Sequence, residues 1–248
     1  MSALIEVRHV CKRFRIPSVR RETVREHVLD LFRPRPTEVL TVLDGVDLEL
    51  RQGESLGIMG RNGCGKSTLL KIIAGIYRPD SGQVARNVPI TPILELGVGW
   101  NPELDAVDNI LLAGTVMGMS IAELRAKTEE ILVFAGVERF ANLELKHFSS
   151  GMAARLAYSV AFIAVREVLL LDEVFAVGDA EFKDRCGARF RELREAGHSA
   201  LLVSHNPFQI STFCERSVLL EGGRITLEGR GDEVARAYER LLIGGQPP

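Results

Sequence analysis

The sequence of 248 residues has little of what marks several large classes of protein. Its four cysteines are far apart and form no CxxC pair, so the sequence indicates neither a disulfide framework nor a zinc site. A formal charge of −2 argues against a broad nucleic-acid surface, because such domains carry a strong positive excess. We therefore expect a protein of a reducing compartment, the cytoplasm, that has no nucleic-acid partner.

Long apolar runs are also missing. The longest, Tyr158 to Val165, stops at the charged pair Arg166-Glu167, whereas a helix that crosses a bilayer needs about 20 apolar residues. The first ten residues place charge where a signal peptide needs an apolar stretch. Any role at a membrane is therefore expected to require a partner.

The stretch Gly60 to Thr68, with the sequence GRNGCGKST, matches the phosphate-binding pattern G-x-x-x-x-G-K-[ST]. A short apolar run, Glu54 to Met59, precedes it as a predicted strand, and a predicted helix follows it. Glycines let backbone N–H groups face an anion, and the positive end of the helix dipole favours the same charge. We predict that Lys66 contacts the β- and γ-phosphates of a nucleotide and that the Ser67 hydroxyl binds Mg²⁺.

Two further strand ends carry polar side chains. The apolar run from Val168 closes in Asp172 and Glu173, which predicts a buried parallel strand that ends at a site. We expect Asp172 to complete the Mg²⁺ ligands and Glu173 to polarise the attacking water; a solvent-exposed or helix-capping pair is the alternative. His205 follows a predicted buried strand from Ser199 to Val203. A lone histidine is more often structural, but here it can donate to a γ-phosphate.

Two features have two interpretations each. The turn Phe148 to Met152 (FSSGM) precedes a predicted helix at Ala153 to Val165. Such a turn is most often only a helix N-cap, yet its hydroxyl and N–H groups can hold a second phosphate. Phe14 could stack on an adenine base or fill a gap in the core, and composition alone favours the core.

The remaining pattern predicts the surroundings of this site. Strands at Leu4 to Val10, Val39 to Leu43 and Val46 to Leu50 form an antiparallel sheet, the last two joined by a hairpin turn at Asp44-Gly45. A basic stretch follows Phe14, and a short helix within it, Thr23 to Phe32, either rests on its own domain or lies near anionic headgroups or a membrane partner. The following predicted elements are a turn at Arg78 to Gln83, a strand at Thr91 to Leu96, helices at Leu104 to Met117 and at Ile121 to Ala135 with a Ser120–Glu123 capping box, a hairpin at Gly222-Gly223, and a closing helix at Asp232 to Leu242.

The phosphate loop, the Ser-Ser-Gly turn, the strand that ends in Asp-Glu and the strand followed by histidine occur in this order over nearly the whole chain. Together they resemble the nucleotide-binding subunit of ABC transporters. The resemblance implies an α/β fold with a P-loop NTPase (RecA-like) core, an antiparallel β subdomain and an inserted α-helical subdomain. It implies one ABC ATPase domain over residues 1–248, with the catalytic core at about 1–101 and 149–248 and the helical subdomain at about 102–148.

The resemblance also implies ATP and Mg²⁺ as ligands and a role for each motif. Glu173 and His205 are the implied catalytic residues, as the catalytic glutamate and the switch histidine, and Phe14 becomes the ring that stacks on adenine. The implied nucleotide-contacting residues are Phe14, Gly60, Arg61, Asn62, Gly63, Cys64, Gly65, Lys66, Ser67, Thr68, Glu95, Ser149, Ser150, Gly151 and Asp179. The implied metal ligands are Ser67, Asp172 and Glu95.

Some residues depart from the usual pattern of this family. The signature reads Phe148 to Met152 in place of Leu-Ser-Gly-Gly-Gln, and Glu95 stands where Gln is usual. Together with the runs Gly99 to Leu104 and Glu173 to Asp179, these residues resemble the sequences of one branch of the family. That branch exports O-antigen, capsular polysaccharide or teichoic acid across the bacterial inner membrane. That branch implies a homodimer at the cytoplasmic face, a separate transmembrane permease and a lipid-linked glycan as cargo. The alternatives are a drug or lipid exporter, a soluble ABC ATPase without a permease, and a P-loop kinase, which would not need the Ser-Ser-Gly turn.

Overall fold

The structure is a computed structural model that describes residues 3–17, 37–94, 99–173 and 178–244. The predicted basic helix at Thr23 to Phe32 and the predicted ligand Glu95 lie outside the described residues. The described strands are β1 (Ala3–Pro17), β2 (Thr37–Arg51), β3 (Ser55–Met59), β4 (Ser81–Arg86), β5 (Ile90–Ile93), β6 (Val168–Asp172), β7 (Ser199–Val203), β8 (Arg216–Glu221) and β9 (Arg224–Arg230). The described α-helices are α1 (Lys66–Ile73), α2 (Ala106–Val116), α3 (Ile121–Ala135), α4 (Ser150–Ile163), α5 (Ala180–Glu195), α6 (Pro207–Phe213) and α7 (Gly231–Gly244).

The strands form two sheets. A three-stranded antiparallel sheet has the order β2-β1-β4. A six-stranded sheet has the order β5-β6-β7-β3-β8-β9, in which only β9 is antiparallel to its neighbour. The expected antiparallel sheet and the expected buried parallel strands are thus confirmed.

The parallel strands are covered on both faces. Successive residues point to opposite sides of a strand, and the side chains on each side pack in a different hydrophobic cluster. Leu169 and Leu171 of β6 pack in one hydrophobic cluster with residues of α4, α5 and α7. Val168 and Leu170 of the same strand pack in the other cluster, with α1 and the antiparallel sheet. The six-stranded sheet therefore forms the middle layer of the core.

A third hydrophobic cluster is built from helices. It joins α2, α3 and α4 through fully buried side chains such as Ile110, Leu124 and Leu156. The predicted capping box starts α3: the Ser120 hydroxyl accepts a bond from the Glu123 amide, and the Glu123 carboxylate accepts one from the Ser120 amide.

The division of the chain into a catalytic core and a helical subdomain stays a prediction. No helix in the described ranges is both long and apolar enough to span a membrane.

One predicted turn is wrong. Asp44-Gly45 does not join two strands, because β2 continues through it and pairs with β1 on both sides. The register shifts there, and Gly45 has a φ of 70° and donates its N–H to the Cys11 sulfur at 3.2 Å. The pair therefore forms a β-bulge, a structure that uses the same left-handed glycine as a hairpin turn.

Some elements were not predicted or start elsewhere. Strand β4 begins inside the predicted turn at Arg78 to Gln83, and α4 begins at Ser150, three residues before the expected start. Helices α5 and α6 were not predicted. The hairpin at Gly222-Gly223 is confirmed, with both glycines at positive φ, as a type I′ turn requires.

Candidate active site

Three neighbouring strands end at the same edge of the six-stranded sheet. The phosphate loop follows β3, Glu173 follows β6, and His205 follows β7, which lies between them in the order β6-β7-β3. Ligands of open parallel sheets bind outside these carboxyl ends. A cavity of about 600 Å³ is found there. Its described lining residues are Val42, Asn62, Gly63, Gly65, Lys66, Ser67, Thr68, Leu94, Asp172 and Glu173.

Lys66 occupies the first position of α1 and is 6% exposed. Its ammonium donates to the carbonyl oxygens of Gly60 at 2.8 Å and Arg61 at 3.0 Å, both in the same loop. These bonds compensate a charge that would otherwise be costly to bury. They also fix the loop around the ammonium. The ammonium and the positive end of the α1 dipole lie close together, and both favour a bound anion.

Glycine is needed at Gly65 for two reasons. The residue caps α1 in a left-handed conformation with a φ of 111°. A Cβ atom there would lie 2.7 Å from the carbonyl oxygen of Val42, on β2. The phosphate loop can therefore approach β2 this closely only because residue 65 has no side chain.

The carboxylate of Asp172 is compatible with its predicted role as a metal ligand. Its Oδ1 atom is buried without a hydrogen-bond partner in the structure. Burial raises the pKa of the Asp172 carboxyl, a hydrogen bond from Ser67 lowers it, and the net shift is upward from the ordinary value. No group of three or more His, Cys, Asp or Glu side chains suited to a metal occurs within the described ranges. Among the described residues, Ser67 and Asp172 would hold an ion at this point together with oxygen atoms of a bound nucleotide, and oxygen is the ligand type that Mg²⁺ prefers.

Glu173 and His205 contact each other directly. The His205 Nδ1 atom lies 2.7 Å from the Glu173 Oε1 atom, and the two side chains are 52% and 40% exposed. Glu173 has a φ of 52°, an uncommon conformation for a residue other than glycine, and its N–H donates to the Val203 carbonyl at 3.0 Å. Such strain is typical of functional sites, where the surroundings fix a residue against its preference.

The predicted signature residues lie elsewhere. Ser149, Ser150 and Gly151 are absent from the described lining of the cavity. Ser149 is the N-cap of α4, and its hydroxyl accepts a bond from the Met152 amide at 3.1 Å. The N-cap interpretation of this turn is thus confirmed, and Gly151 is exposed to solvent.

Asp179 and Phe14 are also outside the described lining of this cavity. Asp179 caps α5 and lies 3.5 Å from Arg155 of α4. Phe14 is half-buried on β1, with its ring centroid 6.0 Å from that of Tyr77. Two hydrophobic residues that line the cavity, Val42 within β2 and Leu94 after β5, were not predicted as site residues, since nothing in the sequence distinguishes them from other apolar residues of strands and their ends.

Comparison with known proteins matches residues 43–176, more than half of the chain, to the family described as ABC transporter. The chain is 42% identical to the ABC transporter protein AbcA of Aeromonas salmonicida over 83% of its length and 67% of that protein. It is 36% identical to the O-antigen export system ATP-binding protein RfbB of Myxococcus xanthus over 98% of its length, and it spans 56% of that relative. An RfbB protein of Klebsiella pneumoniae is 34% identical over 81% of both chains.

Solved structures show the same fold. An ATP-binding cassette, described as a post-hydrolysis dimer bound to ADP and phosphate, has a TM-score of 0.71 at 24% identity and covers 91% of this chain and 98% of its own. An ATP-binding subunit of an ABC transporter has a TM-score of 0.75 at 23% identity, with 97% and 98% covered. The expected P-loop NTPase fold is confirmed. By the match to the family and by the identity to its relatives, the chain belongs to the ABC transporter family.

Proposed function

We propose that the chain is the ATP-hydrolysing subunit of an ABC exporter that moves a lipid-linked polysaccharide, of the O-antigen, capsule or teichoic acid type, across the bacterial inner membrane. The observation that carries the ATPase part is the convergence of Lys66, Ser67, Asp172, Glu173 and His205 at one sheet edge. The names of the two RfbB relatives, both O-antigen export ATP-binding proteins, support the cargo.

Each residue of the site has a separate role in phosphoryl transfer. Lys66 and the loop amides hold the phosphates, and Phe14 stacks on the adenine. Ser67 and Asp172 would hold Mg²⁺, with Glu95 as a further proposed ligand; the ion would neutralise charge that develops on the phosphate oxygens. Glu173 orients and polarises the attacking water, and His205, fixed against Glu173, donates to the γ-phosphate.

The signature turn serves the site of a second copy. Because Ser149 to Gly151 are absent from the described lining of the chain's own cavity, we propose that two copies face each other head to tail and sandwich two ATP molecules. Asp179 lies at the same interface. ATP drives closure because it binds the closed dimer more tightly than the open one, and hydrolysis removes that difference. A separate permease, docked near residues 95–103 at the cytoplasmic face of the membrane, uses the motion.

Mixed dimers test this arrangement. Gly151→Asp should leave the fold intact, since a Cβ atom there meets only the Ser149 hydroxyl at 3.9 Å, but its charge should repel a γ-phosphate. Lys66→Ala disables the phosphate loop. Each variant alone should lose nearly all ATPase activity. A mixture should recover activity, because one site then combines an intact loop with an intact signature from the other copy. No recovery in purified mixed dimers would contradict the head-to-tail proposal.

The cargo needs a separate experiment in the source bacterium. Deletion of the gene should remove a surface glycan and leave its lipid-linked precursor inside the cell, and the wild-type gene should restore export. The Glu173→Gln variant is the matched control, because it keeps the protein but not the turnover. An unchanged surface glycan, together with altered resistance to drugs or altered lipid distribution, would favour the alternative exporter classes. Failure to co-purify with any permease would favour a soluble ABC ATPase.

A further inference from the structure

The loop that follows α1 docks against β1 beside Phe14. The Asp80 amide donates to the Cys11 carbonyl at 2.9 Å. Two residues later, Gly82 has a φ of 82°, and a Cβ atom there would lie 2.3 Å from the His9 carbonyl oxygen. The chain can come this close only with glycine, so the position of the loop on β1 is fixed by backbone contacts.

The Asp80 carboxylate binds the two residues that precede Phe14. Its Oδ2 atom accepts the Arg13 amide at 2.6 Å, and its Oδ1 atom accepts the Lys12 ammonium at 3.1 Å. The same ammonium donates to the Arg78 carbonyl at 2.9 Å. The hydrogen bond from the Arg13 amide, followed by that from Lys12, lowers the pKa of the Asp80 carboxyl, so the carboxylate is charged at neutral pH.

These bonds also set the surroundings of the Phe14 ring. The Tyr77 ring meets it edge to face, with centroids 6.0 Å apart and planes at 69°. The Lys12 ammonium, held by Asp80, lies 5.4 Å from the Phe14 centroid, and that of Lys71 lies 5.6 Å from the Tyr77 centroid. Both geometries are favourable for aromatic and cation–π contacts. The ring is half-buried, so part of it is available to a ligand.

Helix α1 connects this cluster to the phosphate loop. It begins at Lys66 and runs for eight residues, a length of about 12 Å, before the loop that carries Tyr77 and Asp80. On the other side, Phe14 pairs with Leu40 of β2, two residues from Val42, which lines the cavity. The residues at the two ends of α1 therefore belong to different parts of the proposed nucleotide site. Lys66, a proposed phosphate contact, is in its first turn, and Tyr77 and Asp80, next to Phe14, follow its last turn.

We propose that Asp80 and Tyr77 are positioning residues for the nucleotide base: they hold the Phe14 ring in the orientation that stacks on adenine. This inference rests on the proposed role of Phe14 and extends it to a loop outside the phosphate-binding, signature and strand-end motifs. Base stacking on an aromatic side chain changes affinity by about tenfold or more. A ring that is present but poorly oriented loses part of that gain.

The test compares a ligand that has a base with one that has none. Binding of adenylyl imidodiphosphate and of inorganic tripolyphosphate, each with Mg²⁺, is measured by calorimetry on the full chain. We expect Phe14→Ala to weaken the nucleotide by about tenfold and Asp80→Ala by about three- to tenfold, with tripolyphosphate affinity unchanged in both. Tyr77→Phe is the matched control for the ring, which it keeps, and Asp80→Asn keeps one of the two acceptor oxygens without the charge.

The outcomes separate the two proposals. If Phe14→Ala weakens only the nucleotide whereas Asp80→Ala and Tyr77→Ala weaken neither ligand, the positioning role is refuted and base stacking stands. If Asp80→Ala weakens both ligands equally, Asp80 supports the phosphate loop and the inference also falls. If Phe14→Ala affects neither ligand or both alike, the proposed stacking fails, and the inference fails with it. Because Asp80 is exposed, its substitution should leave the fold intact.

Discussion

Replacing Glu173 with Gln should separate catalysis from stability. The Glu173–His205 contact is short, at 2.7 Å, but its side chains are 40% and 52% exposed. A contact this exposed contributes about 1 kcal/mol or less to the free energy of unfolding. Gln keeps the shape, one oxygen acceptor and the same backbone conformation. We therefore expect the unfolding temperature to change by less than about 3 °C.

Turnover should respond very differently. A side chain that takes a proton from the attacking water contributes about 10²- to 10⁴-fold to the rate. Its loss therefore raises the activation free energy by about 3–5 kcal/mol, several times the expected change in stability. Phosphate release at saturating MgATP measures the rate, and thermal unfolding of the same preparation measures stability. The variant should also bind ATP and accumulate as a closed dimer.

His205→Ala provides the second arm of a double-mutant cycle. Because the two side chains touch, the double variant should lose less activity than the product of the two single losses. Two results would refute this reasoning. Glu173→Gln could retain more than a tenth of the wild-type turnover, which would exclude the water-polarising role. Alternatively, the losses could multiply, which would show that His205 does not act with Glu173.

Three further substitutions probe the frame of the site. Arg216→Met should lower the free energy of unfolding by about 2 kcal/mol in urea at pH 7, because the Glu54 carboxylate, 13% exposed, loses two of its three hydrogen bonds, at 2.6 and 3.0 Å, and keeps only the one from the Arg51 amide. Burial raises the pKa of the Glu54 carboxyl, but the hydrogen bonds from Arg216 and from the Arg51 amide outweigh it, so the pKa is lowered overall. The stability that Glu54 contributes is therefore present above about pH 4.5 and is lost as the pH falls through the folded-state pKa. Gly65→Ala should weaken ATP binding at least about tenfold in a titration, since its Cβ meets the Val42 carbonyl at 2.7 Å. Phe162→Ala, at a fully buried position, should lower the free energy of unfolding by about 3–5 kcal/mol in urea.

Each of these variants has a control. The difference between Arg216→Met and the wild type should shrink at pH 4; a constant difference would mean that Glu54 is not the responsible group. Gly53→Ala has the same kind of positive φ, 70°, with nothing within 4 Å, so it reports strain alone and should leave ATP affinity unchanged. Equal losses of affinity in both glycine variants would contradict the steric argument. Phe208→Ala, 73% exposed, should be nearly neutral beside Phe162→Ala.

Local signals in the sequence predicted the parts of the fold that depend on local geometry. The glycines of the phosphate loop, the Ser120–Glu123 box and the Gly222-Gly223 turn each specify a backbone shape within a few residues. The Asp44-Gly45 error shows the limit of this reasoning. A left-handed glycine allows either a hairpin or a bulge, and pairing with β1 decides between them.

Contacts between distant segments could not be predicted in the same way. No pattern sets β7 between β3 and β6, yet that order brings His205 to Glu173. Helix α5 was missed because charged residues dominate its sequence, although Phe182, Cys186, Phe190 and Leu193 line one buried side at helical spacing. The hydrogen bonds from Lys12 and Arg13 to Asp80 join residues 68 and 67 positions apart, and no local signal indicates them.

Helix α4 belongs to two hydrophobic clusters at once. Tyr158 and Phe162 pack in the cluster that covers the six-stranded sheet, whereas Leu156 and Val160 pack among α2 and α3. A 14-residue helix is a rigid rod of about 21 Å, and Ser149 and Gly151 lie at one of its ends. The rod cannot tilt without repacking both clusters. A shift of α4 beside the sheet would therefore also displace Ser149 and Gly151.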